Sequence, residues 1–103
     1  MFIQRVRTYP ALDKANEHRA ALEELVKKLQ AQGLAISLSV QLYSPEGVTF
    51  VSTTRHRDLA EVENRRRQLQ ADAAYLAAVA QLASMSRAPA KWELYEVLVP
   101  FPG

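Results

Sequence analysis

An α+β fold of order β-α-β-β-α-β, with four antiparallel strands and helices on one face of the sheet, is predicted by three features of this 103-residue chain. Residues 34 to 43 alternate strictly between apolar and other side chains, the period of a strand with one buried face. Residues 13 to 33 carry apolar positions at helical spacing and end on a glycine. Asp58 stands three residues before Glu61, the spacing of a capping box in which each side chain satisfies a backbone donor left free at a helix start.

The remaining elements follow in order. Residues 2 to 9 mix β-branched, aromatic and long polar side chains and stop at Pro10, which has no N–H for a ladder, so they read as the first strand. In the first helix Ala15, Leu22, Leu25, Val26 and Leu29 form the inward stripe, with Glu23, Glu24, Lys27 and Lys28 outside and Gly33 ending it. In the second strand Leu34, Ile36, Leu38, Val40 and Leu42 alternate with Ala35, Ser37, Ser39, Gln41 and Tyr43. Ser44, Pro45, Glu46 and Gly47 supply turn chemistry, and residues 48 to 57, rich in Val, Phe and Thr, return as the other arm of a hairpin. The second helical segment runs from Asp58 towards Ser86. Asp72 before Ala73 resembles another N-cap, so the segment is either one helix or two joined at a kink. Arg87, Ala88, Pro89 and Ala90 break it, and residues 91 to 99 form the last strand, where Trp92, Leu94 and Leu98 alternate with Glu93, Tyr95 and Val97 before Pro100.

This is the ferredoxin-like layout, one domain over residues 1 to 103, in which right-handed crossovers return the chain to one sheet. The helices cover only one face. Strand parity places Leu34 to Leu42, Trp92, Leu94 and Leu98 beneath them, and leaves Ser37, Ser39, Gln41, Tyr43, Glu93, Tyr95 and Val97 on the open side. Ile3, Arg5, Arg7 and Tyr9 are assigned to the open side as well, being more polar as a set than Phe2 and Val6.

Composition excludes several classes of function. Thirteen basic and eleven acidic residues spread over mixed faces give a charge of +2 and no basic stripe, so no nucleic-acid partner is expected. There is no cysteine, hence no disulfide, thiolate metal site or cysteine nucleophile. Three glycines at 33, 47 and 103 cannot write a phosphate-binding loop, and no GxSxG elbow is present. Uncharged runs are too short for a membrane span, and Phe2-Ile3-Gln4-Arg5 does not read as a signal peptide, so a cytoplasmic location without membrane contact is expected. Two histidines without a flanking HxH or HxxE pattern make no metal set, and no cofactor is expected.

Candidate site residues are few, and each has a plain structural alternative. His18, four before Leu22 on the inward stripe, is either a boundary histidine or a ligand-facing ring. His56, beside Arg55, Arg57 and Asp58, is either a pocket-mouth residue or a solvated strand end. Arg7 and Tyr9 offer a guanidinium fork and a phenol to an anion or carbonyl oxygen, or make structural contacts, with Glu93 a partner for Arg5 or Arg7. Trp92 and Tyr75 either bound a small cavity between helices and sheet or belong to the core. Arg65, Arg66 and Arg67 read as a solvated helix face.

Several short stretches carry a resemblance: Arg7-Thr8-Tyr9, residues 50 to 59 (FVSTTRHRDL), Ala71-Asp72-Ala73-Ala74-Tyr75 and Val97-Leu98-Val99-Pro100. On these the chain resembles the NIPSNAP-like group of the dimeric α/β-barrel superfamily. Thr54 stands where such proteins often place an aromatic, and Ala73 where a proline often follows the aspartate. The resemblance implies a homodimer whose sheets pack open face to open face, with Ile3, Ser39, Gln41, Tyr43, Tyr95 and Val97 at the interface. The first functional reading is a binding or regulatory role without chemistry of its own, with a small organic ligand held between sheet and helices and Arg7, Tyr9, His18, Thr54, His56 and Trp92 as its candidate contacts. The alternative is a cofactor-independent monooxygenase or isomerase similar to the antibiotic-biosynthesis monooxygenases, with His18, Tyr9 and Trp92 lining a hydrophobic pocket.

Overall fold

A computed structural model describes residues 1 to 102. Along them run β1 (Phe2–Pro10), a 3-10 turn (Leu12–Lys14), α1 (Ala15–Ala31), β2 (Ile36–Gln41), β3 (Thr49–His56), α2 (Leu59–Gln70), α3 (Ala73–Ser84) and β4 (Ser86–Glu96). The strands form one antiparallel sheet in the order β2-β3-β1-β4, which is the ferredoxin-like arrangement.

Each helix ends where its local chemistry dictates. After α1, Gly33 takes φ 93°, its N–H donates to Gln30 O and that of Leu34 to Leu29 O, a Schellman closure that a residue with a side chain resists. The second helical segment is two helices. Asp72 accepts from the N–H groups of Ala74 and Tyr75, giving α3 an N-cap of its own just past the end of α2. Asp58 caps α2 by accepting from Glu61 N at 2.8 Å, while the Glu61 carboxylate turns to Arg57 instead of completing the box.

β4 departs most from expectation: it starts at Ser86, so the stretch Arg87 to Ala90 is strand and not a break. The reason is position. β4 is the outer strand, where Pro89 has a free side to which its missing N–H can be turned, and register shifts beside Tyr9 absorb the irregularity. Arg87 fastens this half of the strand by donating to the carbonyls of Pro10, Glu46 and Val48. At its other end β4 stops at Glu96 because β1 has run out at Phe2; Val97 still donates to Met1 O, but Leu98 and Val99 are exposed.

The core lies between sheet and helices. Leu22 of α1, Phe50 of β3 and Leu82 of α3 meet there, with Ala21, Leu25, Leu38 and Met85 packed around them. The predicted division of faces holds, since register aligns Phe50 with Val40 and Thr8 on the helix side and Val51 with Ser39 and Arg7 on the other. Burial is less even than alternation implied. Trp92 and Leu94 face the helix side, yet they stand on the outermost strand, incompletely covered, and Trp92 is 59% exposed. Leu42 and Tyr43 lie beyond the end of β2 and are exposed too.

Replacing Leu22 by alanine should cost roughly 2–5 kcal/mol in urea unfolding, as for a buried leucine elsewhere. Asp72→Ala should cost about 1 kcal/mol through the lost cap.

Candidate functional site

The residues singled out by sequence fall in separate places. His18 lies at one end of the helix-facing side, where α1 begins and β4 starts. It is fully buried, stacked on Phe50 with centroids 5.7 Å apart and planes 14° from parallel. Ser86 Oγ donates to Leu82 O at 2.7 Å, so at 3.2 Å it accepts from the Nε2–H of His18. Among the described residues Nδ1 has no partner. Burial therefore holds the imidazole neutral, with its pKa below the ordinary value. His18 is thus fully buried and not a boundary residue.

Thr54 and His56 sit at the other end of β3, and six residues of strand, ~20 Å, separate His56 from Phe50. His56 is buried, not a solvated strand end, because β1 and the start of α2 close over it. Its Nε2 is 3.3 Å from Gln4 Oε1, and Nδ1 is 4.0 Å from Glu61 Oε1, beyond hydrogen-bond reach. Desolvation lowers its pKa; Glu61 opposes this and Arg65 adds to it. Thr54 is buried between Gln4 and Ile36 of the flanking strands. Trp92 is alone on the outer edge. Tyr75 lines a cleft of about 120 Å³ between α1 and α3 with Leu25, Leu29 and Ala78, and Trp92 is not among the residues that line it.

The open face carries an organised polar layer. Arg7 Nε donates to Glu93 Oε1 at 2.9 Å and Nη1 to Gln41 Oε1 at 3.0 Å, tying β4, β1 and β2 across the sheet. The Tyr95 hydroxyl donates to the other Glu93 oxygen at 2.6 Å. Those bonds from Tyr95 and Arg7 hold the Glu93 carboxyl below the usual carboxylate range. The Arg5 guanidinium lies over the Tyr95 ring, 5.4 Å from its centre. Ile3, Ser39, Gln41 and Tyr95 share this face as expected, whereas Tyr43 and Val97 lie past the strand ends.

Tyr9 was expected on this open surface but is only 3% exposed. Arg87 and Lys91 cover its ring at 5.6 and 5.7 Å, and its hydroxyl has no partner. These three, with Glu46 from the hairpin and residues 88 to 90, line a cleft of about 390 Å³. The cleft is open, with Arg87, Lys91 and Glu46 around it and the Tyr9 hydroxyl buried beneath it. Arg87, Lys91 and Glu46 were not legible as site residues, since the hairpin and β4 meet only through folding; the lone signal was two cations flanking a proline.

No protein-family model and no curated protein sequence matches the chain. Solved structures do. A NIPSNAP domain protein from Burkholderia xenovorans superposes with a TM-score of 0.81 over 100% of both chains at 12% identity. A NIPSNAP family protein from Agrobacterium tumefaciens matches with a TM-score of 0.75 at 16% identity, over 92% of this chain and 90% of that one. An antibiotic biosynthesis monooxygenase matches equally well, at 0.75 and 20% identity over 97% of this chain and 100% of its own. The fold is the one these two groups share.

Both buried histidines have pKa values below that of the unfolded chain, so unfolding takes up protons. Stability is full above about pH 6.5 and falls as the pH drops below it. Urea midpoints measured between pH 7.5 and 5 should decline, and His18→Leu should flatten that decline.

Proposed function

We propose that this chain is a cytoplasmic, homodimeric small-molecule-binding or regulatory domain of NIPSNAP type, its two sheets packed open face to open face as a dimeric α/β barrel. The observation that carries the reading is the Arg7, Glu93, Tyr95 and Gln41 layer, an array of bonded, partly buried groups on a face that the chain's own helices leave uncovered. Ile3 and Val51 stand half-buried within it, and a two-fold partner would bury this surface against its own copy. The likeness in fold to NIPSNAP domains supports the NIPSNAP type of the reading. Cytoplasmic placement is supported by the lack of cysteine, and no helix among the described residues is long and apolar enough to cross a membrane.

The cleft over Tyr9 is the favoured place for an organic ligand. Monooxygenase chemistry is the alternative and is no better supported, since His18 is fully buried against Phe50 and Ser86. Sedimentation of the wild-type chain should give a dimer, and Tyr95→Lys, which removes the hydroxyl bound to Glu93 and adds a cation to the same face, should give a folded monomer. A wild-type chain that stays monomeric at tens of micromolar in every buffer, those with polyvalent anions included, or a Tyr95→Lys variant that sediments unchanged, would overturn the assembly.

A further inference from the structure

We infer that the paired open faces enclose a small polyvalent oxyanion, carboxylate or phosphate in kind; this rests on the face-to-face dimer proposed above and names the class of ligand it holds. Register brings Arg5, Arg7, Arg55, Lys91 and Glu93 onto one face. Arg87 lies at the end of the same face over Tyr9, and Glu46 reaches in from the hairpin. The five cations thus face two carboxylates. Glu93 is taken by Arg7, and Glu46 lies 3.7 Å from Lys91.

Three cations keep their charge. Arg87 is held by backbone carbonyls, which satisfy its N–H groups without neutralising it. Arg5 is half-buried over Tyr95, and among the described residues neither it nor Arg55 has a carboxylate within salt-bridge distance. Each protomer therefore brings an excess of three positive charges to the surface that is to be covered.

Symmetry makes this decisive. A two-fold partner presents the same surface, so it has no spare carboxylate to offer and doubles the excess. Facing sheets stand roughly 10 Å apart, a gap from which screening salt is largely displaced. Repulsion across that gap opposes the dimer unless a counter-anion enters with it. Guanidinium forks bind carboxylate and phosphate oxygens in bidentate fashion, and an anion of several charges can answer cations from both protomers at once. The space between the sheets limits it to a small molecule.

The test is the dimer dissociation constant from sedimentation equilibrium, at one ionic strength kept constant with sodium chloride, with and without millimolar inorganic phosphate or citrate. Wild-type dimerisation should tighten tenfold or more with at least one of the two. A response to phosphate alone indicates a phosphate-bearing ligand, and one to citrate alone a polycarboxylate. Arg5→Gln should dimerise more tightly than wild type in chloride alone and respond less to either anion. Arg55→Gln, at an exposed strand end, should shift the same way and serves should Arg5→Gln fold poorly. A wild-type dimer indifferent to both anions, with variants equally indifferent, would overturn the inference and leave the dimer standing. A monomer under every condition would overturn both.

Discussion

The contact of Phe50 with His18, Leu22 and Leu82 sets the relation between the sheet and its helices. Phe50 comes from a central strand, the other three from the two helices that pack nearest to it, so one ring fixes how α1 and α3 lie over the sheet. A histidine serves here because the site is mixed. The flat ring stacks on Phe50 while Nε2 reaches Ser86, whose hydroxyl is already turned to the last turn of α3. Helix start, helix end and strand start are thereby held together by two hydrogen bonds and one stacked pair. The cost is an unpartnered Nδ1, tolerable only while the ring is neutral.

The two faces of the sheet solve different problems. On the helix side, apolar burial is concentrated on the inner strands and fades towards the rims, which leaves Trp92, Leu94 and Val40 partly in water. On the other side, β1 and β4 lay charged and aromatic groups side by side, and the Arg7 and Glu93 pair joins them in a sheet-wide network. Neither side has the composition of a plain solvated sheet surface.

Much of the fold was legible because it rests on local rules. Alternation in β2, the helical stripe of α1, the glycine after it and the Asp58 and Asp72 caps each depend on neighbours a few residues apart. What escaped depends on the sheet order. Proline next to alanine and arginine reads as a break until the segment is known to be an outer strand, and Trp92 reads as core until its strand is known to be the last one. The site was less legible still. Parity correctly put Arg7 and Glu93 together, but Tyr9 met its cover from Arg87 and Lys91 through a shift in register that no spacing reveals. His18 and His56 were recognised as unusual, yet their burial is a property of the elements that close over them.

Arg87 bears on the order in which the molecule assembles. Its three acceptors lie 77, 41 and 39 positions away along the chain, so the clamp forms only after β1, β3 and β4 have already found one another. Closing such distant loops yields no gain until the ends meet, and contacts of this kind come late in folding. Through Glu46 and Val48 the tip of the β2 to β3 hairpin is therefore tied to β4 by a contact of this late kind. Because Glu46 also lines the cleft over Tyr9, that cleft takes its shape only when the Arg87 clamp closes.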